Sequence, residues 1–294
     1  MEREALDQVR RFNRLVSRRI GALEDSYLAR GRPLGQARLV WELGAAGGLD
    51  LQHLRAILGV DSGYLSRLLR ALEEQGLVET SVKSGDGRAR VVSLTGAGIA
   101  EYRAYEALSD EQAGGVLAPL DAQRRTRLVQ AMGEVERLLR AASIDLSLED
   151  AQSGDARHCL QSYYAELAER FENGFDPHAV ANFEPSEMTP PKGWFLMARE
   201  EGLPVGCGVL KRLEEDVGEI KRVWTAPAAR GLGVATAIMD RLEALAAEAG
   251  FAAVRLDTNG ALVEAQAMYT RRGYHPIPRY NDNPYAQHWF EKAM

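Results

Sequence analysis

The sequence predicts two domains, a mainly α-helical domain with a β-hairpin over residues 1–145 and an α/β domain with a central mixed sheet over residues 146–294. Its 294 residues suffice for two separate cores. Helical periodicity with a single hairpin pattern dominates the first part, whereas strand and helix patterns alternate in the second. A hydrophobic content of 46% and a charged content of 27% are typical of globular proteins.

Composition excludes several classes of protein. No apolar run approaches the roughly 20 residues of a membrane span, and the charged N-terminus differs from a signal peptide, so we expect a cytoplasmic protein without membrane contact. Cys159 and Cys207 lack the spacing of metal ligands or of a disulfide framework and are expected to be buried. The five histidines do not cluster, so no metal site is expected. Charges balance over residues 1–145 but are mainly acidic afterwards, which places any nucleic-acid contact in the first domain.

Residues 50–94 carry the pattern of two helices and a hairpin. Apolar periodicity indicates a helix from residue 51, a turn at Gly59-Val60, and a second helix that is capped by Asp61 or Ser62 and ends at Gly76. Two strands joined by a flexible turn follow, which completes a winged helix-turn-helix. The predicted buried face of the second helix consists of leucines: Leu65, Leu68, Leu69 and Leu72.

The run Leu72-Glu73-x-x-Gly76-Leu77-Val78, followed by Asp86-x-Arg88 and Leu94-Thr95-x-x-Gly98, is similar to the MarR family of bacterial transcription regulators. The resemblance implies binding to double-stranded operator DNA, with Arg88 in the minor groove and Asp86 orienting it. Further candidates lie on the outer face of the second helix and on the hairpin, where they could reach bases and phosphates. The alternative is that these side chains form ordinary solvated faces. The further candidates are Ser62, Tyr64, Ser66, Arg67, Arg70 and Arg90.

The ends of the first domain carry two more amphipathic patterns. Apolar residues recur at helical spacing over residues 6–29 and 123–142. In MarR-like proteins such ends interlock in a two-fold dimer, and a protein that reads palindromic half-sites needs that symmetry. We therefore expect a homodimer through this domain, with a monomeric helical core as the alternative. Residues 143–153 are expected to form a short polar connection.

A glycine loop stands out in the second domain. Residues 223–249 predict an apolar strand, a proline turn, the loop, and a helix from about residue 231. Two glycines let the backbone approach a pyrophosphate, while the helix N-terminus and Arg230 attract its charge. A turn that only reverses the chain is the alternative for the loop alone. The candidate cofactor-binding residues here are Val223, Trp224, Thr225, Arg230, Gly231, Leu232, Gly233, Val234, Ala235 and Thr236.

The order Arg-x-x-Gly-x-Ala from Arg230 to Ala235 is followed by a strand, Asn259, a helix with Ala265 and Tyr269, and Gly273-Tyr274. Over residues 145–294 this order resembles the GCN5-related N-acetyltransferase (GNAT) family. The resemblance implies acetyl-CoA as the cofactor, with Asn259, Ala265 and Tyr269 beside it.

Direct acetyl transfer to a primary amine needs a polarised thioester, a base for the amine and an acid for the thiolate. The resemblance implies that backbone amides near Val223 and Trp224 polarise the carbonyl, that Glu219 is the base, and that Tyr269 is the general acid. The alternatives are that Glu219 is an ordinary polar strand residue and that Tyr269 only packs.

Two segments are candidates for contact with the acceptor, which is either a small molecule or a protein amine. Residues 173–192 form a long loop, and in the GNAT fold the equivalent segment borders the acceptor pocket. Residues 280–290 are dense in aromatic and amide groups, of which a final strand with turn residues explains a part. The candidate substrate-binding residues are Phe175, Tyr280, Asn281, Asn283, Tyr285 and His288.

These expectations combine into a bifunctional protein, a transcriptional regulator that is also an acetyl-CoA-dependent N-acetyltransferase. In one alternative, the second domain is a non-catalytic sensor of acyl-CoA or a small ligand that tunes DNA binding. In another, the N-terminal helices merely dimerise an enzyme.

Overall fold

The computed structural model describes residues 3–22, 25–82, 90–172, 174–179 and 185–294. The chain divides into two compact units, Met1–Ala131 and Met132–Met294. Between them they confirm the predicted fold class, a mainly helical unit followed by an α/β unit with a mixed sheet.

The first unit is built from helices around a small sheet. Its helices are α1 (Arg3–Arg19), α2 (Leu34–Ala46), α3 (Leu51–Leu58), α4 (Ser62–Glu74) and α5 (Gly96–Leu117), and α6 (Ala122–Ala142) crosses the boundary between the units. Its strands are β1 (Leu49–Asp50), β2 (Val78–Val82) and β3 (Arg90–Leu94), in the order β1-β3-β2 with antiparallel pairing.

The helix-turn-helix forms where the sequence predicts it. Gly59 ends α3 in the left-handed conformation with φ 61°, and the Asp61 carboxylate caps α4 by accepting a hydrogen bond from the backbone amide of Tyr64 at 2.8 Å. The predicted leucines of α4 are buried against α2 and the sheet. Burial of this apolar face fixes α4 in the unit and leaves its opposite face exposed.

The terminal helix α1 is shorter than the predicted span of residues 6–29. It ends at Arg19, since Gly21 has a φ of 65° that interrupts the helical backbone. Neither α1 nor α6 contains a buried residue, and both carry exposed large apolar side chains such as Val9, Phe12 and Leu139.

The second unit contains a seven-stranded mixed sheet in the order β4-β5-β6-β7-β8-β10-β9. The pair β7–β8 is parallel and is joined through a helix, whereas the other pairs are antiparallel. The strands are β4 (Ile144–Leu148), β5 (Gly193–Glu200), β6 (Leu203–Arg212), β7 (Val217–Thr225), β8 (Ala253–Thr258), β9 (His275–Pro276) and β10 (His288–Ala293); the helices are α7 (Gly154–Arg170), α8 (Val234–Glu248) and α9 (Val263–Arg271).

Helices cover this sheet through two apolar clusters. One cluster packs Ile238 and Leu242 of α8 against the strands, and the other packs Cys159 of α7 against Cys207 and Met197. Both cysteines are buried free thiols, as expected from the sequence. The expected polar connection over residues 143–153 instead contains β4, which pairs with β5 because Ile144, Leu146 and Leu148 alternate along it.

None of the helices in the described ranges combines the length and apolar character that a membrane crossing requires. Within the same ranges, no group of histidine, cysteine, aspartate and glutamate side chains has the arrangement of a metal site.

Candidate functional site

Strands β7 and β8 separate halfway along their length. Their parallel pairing consists of three residue pairs and ends at the pair Glu219 and Arg255, although β7 continues to Thr225 and β8 to Thr258. A β-bulge in β7 accompanies the separation. Val209 of β6 lies opposite Lys221, and Cys207 lies opposite Trp224. Between these two pairs β7 has one residue more than β6. The sheet therefore opens into a gap immediately before the glycine loop.

A cleft of about 330 Å³ occupies this gap. It is lined by residues of α7, β7, β8 and α9 and by the C-terminal segment, which we define as residues 277–287 between β9 and β10. The cleft brings together nine of the residues singled out from the sequence: Glu219, Val223, Asn259, Ala265, Tyr269, Phe175, Asn281, Asn283 and Tyr285. Tyr280 reaches the same place indirectly, through its hydroxyl hydrogen bond to Glu219. His288 is exposed on β10 opposite Thr258, and the described lining of the cleft does not include it.

A buried cluster of charges lies at the inner end of the cleft. The side chains of Glu219 and Asp257 are only 4% and 5% exposed, and the Lys221 ammonium contacts both, at 3.1 Å and 2.6 Å. Glu219 and Lys221 point the same way because they are two residues apart on β7. The pair Lys221–Asp257 thus spans the two strands beyond the point where their backbones cease to pair.

The C-terminal segment completes this cluster with neutral donors. The Tyr280 hydroxyl donates to Glu219 at 2.8 Å, Asn281 donates to both carboxylates, and the Asn283 amide donates to Asp257 at 3.1 Å. Such charge-assisted hydrogen bonds hold the two carboxylates in fixed positions.

Tyr269 lies on α9 and is 7% exposed. Burial raises the pKa of its hydroxyl well above the usual value, and the negative charge of Asp257 raises it further. Its ring also packs 5.9 Å from Tyr274 and 6.1 Å from Phe290, between ring centroids. Tyr269 therefore packs in the core and also lines the cleft, and it keeps its proton at neutral pH.

The glycine loop lies directly after β7. Gly231 and Gly233 have φ angles of 80° and 82°, and apart from the adjoining backbone no atom of the described residues lies within 4 Å of the position that a Cβ would take on either glycine. The backbone surface is therefore open to an approaching ligand. Gly233 is also the N-cap of α8, whose first turn leaves backbone amides without acceptors inside the helix.

Residues around this loop are held by Glu166 of α7. Its carboxylate accepts hydrogen bonds from the Trp224 indole at 2.9 Å and from the Arg230 guanidinium at 2.6 Å. The guanidinium is half exposed. Thr225 has a buried hydroxyl without a hydrogen-bond partner in the described part of the chain.

Aromatic rings form the outer wall of the cleft. The ring of Phe175 is 4.8 Å from that of Tyr285 and 5.7 Å from that of Tyr164, and the ring of Phe171 contacts Phe175 and Tyr285 at 5.9 Å and 5.8 Å. These rings come from α7, from the loop after it, and from the C-terminal segment, so the wall joins three distant parts of the sequence.

In the first unit, the candidate DNA contacts lie along one face of α4. Ser62, Tyr64, Ser66, Arg67 and Arg70 are all exposed. The Arg67 guanidinium lies 5.6 Å from the centre of the Tyr64 ring. Tyr64 also turns back towards α2, because its hydroxyl would lie 2.8 Å from a Cβ at Gly35.

Of the three hairpin candidates, one lies within the described residues. Arg90 is exposed at the start of β3, whereas Asp86 and Arg88 lie outside the described residues.

Several residues of the site are absent from the sequence-based candidates: Asp257, Lys221 and Tyr164, which line the cleft, and Glu166, which holds Trp224 and Arg230. Two of them had a signal in the sequence. The alternation Glu219-Ile220-Lys221 places two charges on one strand face, and Asp257 precedes the candidate Asn259 at the end of a strand. Tyr164 and Glu166 belong to the amphipathic pattern of α7, and nothing local distinguishes them from other helix positions.

Comparison with known proteins gives two family matches. Residues 160–274 match the acetyltransferase (GNAT) family, and residues 30–89 match the MarR family. Both resemblances drawn from the sequence are thereby confirmed.

Individual proteins match parts of the chain. The IAA acetyltransferase of Azospirillum brasilense is 34% identical over 88 residues, which are 30% of this chain and 58% of that protein. The chain spans little more than half the length of the curated relatives that it matches. A GNAT-family acetyltransferase structure from Staphylococcus aureus is 17% identical with a TM-score of 0.45, covering 51% of this chain and 98% of that one. The PcaV transcriptional regulator structure from Streptomyces coelicolor is 20% identical with a TM-score of 0.37, covering 44% of this chain and 94% of that one.

Proposed function

We propose that this chain, which carries a MarR-family domain followed by a GNAT-family acetyltransferase domain, binds operator DNA and transfers an acetyl group from acetyl-CoA directly to a primary amine. The observation that carries the transfer is the separation of β7 and β8 after Glu219. It opens a cleft with two buried carboxylates and a buried tyrosine along β7, the strand that leads to the open glycine loop.

The residues around the loop fit the pyrophosphate of acetyl-CoA. Gly231 and Gly233 present open backbone, the amides from Val234 to Thr236 in the first turn of α8 have no acceptor inside that helix, and the half-exposed Arg230 adds positive charge. Bound acetyl-CoA would supply a thioester as the electrophile. Val223, Asn259 and Ala265 line the cleft on the side where that thioester would enter.

The chain's own groups would handle the protons. Glu219, supported by Asp257, accepts the proton that the acceptor ammonium must lose before its nitrogen attacks. Backbone amides near Val223 and Trp224 polarise the carbonyl. As the nitrogen–carbon bond forms and the carbon–sulfur bond of a bound thioester breaks, the Tyr269 hydroxyl would donate its proton to the departing sulfur, and the second proton that the nitrogen loses on becoming an amide would restore the tyrosine hydroxyl.

Two measurements on the full chain test this assignment. Calorimetry with acetyl-CoA is expected to show stoichiometric binding, and a CoA-release assay over a panel of primary amines is expected to show turnover with at least one. Binding without turnover for any amine would favour the sensor alternative. No binding at all would contradict the proposal.

DNA binding is supported by the exposed polar face of α4, with Arg67 and Arg70 beside hydroxyl and aromatic side chains. Dimerisation is supported by the large apolar side chains that recur at helical spacing along α1 and α6 and are left unburied, since exposed apolar residues arranged in this way favour association. Sedimentation is expected to show a homodimer. Selection from a random duplex library should yield a preferred sequence whose binding weakens steeply with salt. A dimer without sequence preference would favour the alternative in which these helices only dimerise an enzyme.

A further inference from the structure

The acceptor cleft is bridged on its outer side by two segments that meet across it. The Tyr285 hydroxyl accepts a hydrogen bond from the backbone amide of Asp176 at 2.9 Å, and its ring lies 4.8 Å from that of Phe175. The ring of Phe171, at the end of α7, contacts both. These contacts bridge that side of the cleft, whereas an extended polypeptide needs an open groove.

The bridging C-terminal segment is anchored firmly at its inner end. Asn281 donates to the buried carboxylates and accepts a hydrogen bond from the Trp289 indole at 3.0 Å. The carbonyl of Tyr285 accepts from the Asn259 side chain at 2.7 Å. This wall is therefore part of the folded site, and the volume of about 330 Å³ that it encloses matches a small molecule.

The surfaces inside the cleft differ between its two ends. The inner end presents the carboxylates of Glu219 and Asp257, two acidic groups that share the single ammonium of Lys221, so one further ammonium group would balance the formal charge of the cluster. The outer wall presents the faces and edges of half-buried aromatic rings, which suit an aromatic ring by stacking and by burial of apolar surface.

We infer that the acceptor is a small monoamine that carries an aromatic ring. Its ammonium group lies at Glu219 and Asp257, and its ring lies against Tyr164, Phe175 and Tyr285. The inference rests on the proposed acetyl transfer for its chemical outcome, but it makes a separate statement about which amine the cleft binds.

Calorimetry on the full chain saturated with CoA, which has no acetyl group to transfer, measures acceptor binding without turnover. Three probes are compared: 2-phenylethylamine, butylamine as the matched amine without a ring, and a short lysine-containing peptide. We expect 2-phenylethylamine to bind at least about tenfold more tightly than either of the others, because stacking and apolar burial add to the same ammonium contact. Equal affinity of butylamine, or tighter binding of the peptide, would overturn the inference.

Two variants assign the ring contact to the outer wall. Phe175→Leu and Tyr164→Leu, whose rings stack on each other in the outer wall, are each expected to reduce the affinity for 2-phenylethylamine several-fold while leaving that for butylamine unchanged. Equal losses for both amines in both variants, with unchanged melting temperature, would overturn the placement of the ring.

The same probes separate this inference from the proposed function. If 2-phenylethylamine binds selectively but no amine is acetylated, acetyl transfer fails and the acceptor class stands. If acetylation proceeds with the peptide and not with 2-phenylethylamine, acetyl transfer stands and the acceptor class is wrong.

Discussion

The side chains proposed to contact DNA are exposed on one face of α4, whereas those proposed to act on acetyl-CoA and the amine are buried and bonded to one another. Arg67 and Arg70 project from a helix whose leucines alone are fixed by packing. Glu219 and Asp257 share Lys221 and Asn281, so neither carboxylate can move without disturbing the other.

This difference follows from what each surface has to do. A duplex is read by side chains that are free to reach bases and phosphates, and each contact adds a separate, salt-dependent increment. Proton transfer needs groups held in position before the reaction, which burial and hydrogen bonding provide. Substitutions in the cleft should therefore have large effects, and substitutions on α4 moderate ones.

The largest effect is expected at the glycine loop. Gly233→Asp places a carboxylate where the pyrophosphate would lie, so acetyl-CoA binding should be lost in calorimetry while DNA binding and the dimer persist. Gly233→Asn is the matched control, since asparagine has nearly the same shape, no charge, and tolerance for the left-handed backbone. Loss of affinity in the Asn variant as severe as in the Asp variant would assign the effect to strain instead of charge.

Tyr269→Phe should slow the chemical step about 100-fold with little change in acetyl-CoA affinity, because the ring still packs and only the acidic proton is lost. Burial raises the pKa of this hydroxyl above 10, so the acid remains protonated throughout the range from pH 7 to about 10. The single-turnover rate of the parent should accordingly rise with pH as the amine loses its proton, without a falling limb in that range. An identical rate and pH profile in the Phe variant would leave Tyr269 with a packing role only.

Buried charge in the first unit serves the fold, and Glu101 of α5 makes that distinction testable. Hydrogen bonds from Arg30 chiefly lower the pKa of this carboxyl, with help from Arg32 at 2.6 Å. Because the pKa of Glu101 is lower in the folded than in the unfolded state, its ionised carboxylate stabilises the unit at pH values above the unfolded-state pKa of about 4.5. This stabilisation is lost as the pH falls through the folded-state pKa. Glu101→Gln should cost about 1–3 kcal/mol of unfolding free energy at pH 7 and progressively less below pH 4.5. Denaturant melts from pH 3 to 7 measure this; parallel stability curves for the two proteins would exclude the linkage.

A moderate effect is expected on α4. Arg67→Ala should weaken binding to the selected duplex by about tenfold and reduce the slope of log affinity against log salt by roughly one unit, because one cation near the phosphates is removed. Arg103→Ala, an exposed arginine on α5, is the control and should change neither quantity. Fluorescence anisotropy of the labelled duplex at several salt concentrations measures both the affinity and the slope. The same small change in both variants would move the DNA contact away from α4.

Local patterns carried most of the fold prediction. Periodic leucines, Gly59 and Asp61 define the helix-turn-helix because caps and turns depend on neighbouring residues. The strand β4 was not foreseen, since its alternation of apolar residues covers only five positions and the pairing with β5 that stabilises it is a tertiary contact.

The site was predictable only where a motif encodes it. The glycine loop came from a short pattern, whereas Tyr269 and Glu219 came from the resemblance to the GNAT family, and both of these side chains line the cleft. Other parts of the site depend on tertiary contacts. These are the ion pair of Lys221 with Asp257, the ion pair of Arg230 with Glu166, and the ring contact between Phe175 and Tyr285. They join residues far apart in the chain, and no local rule relates them.

The measurement that tests the central claim most directly is mass spectrometry of the amine after incubation with acetyl-CoA and the full chain. We predict that the acceptor amine gains one acetyl group for each CoA released. The rate should fall sharply in Tyr269→Phe and vanish in Gly233→Asp. Tight binding of acetyl-CoA with no acetylated amine and no released CoA would contradict it.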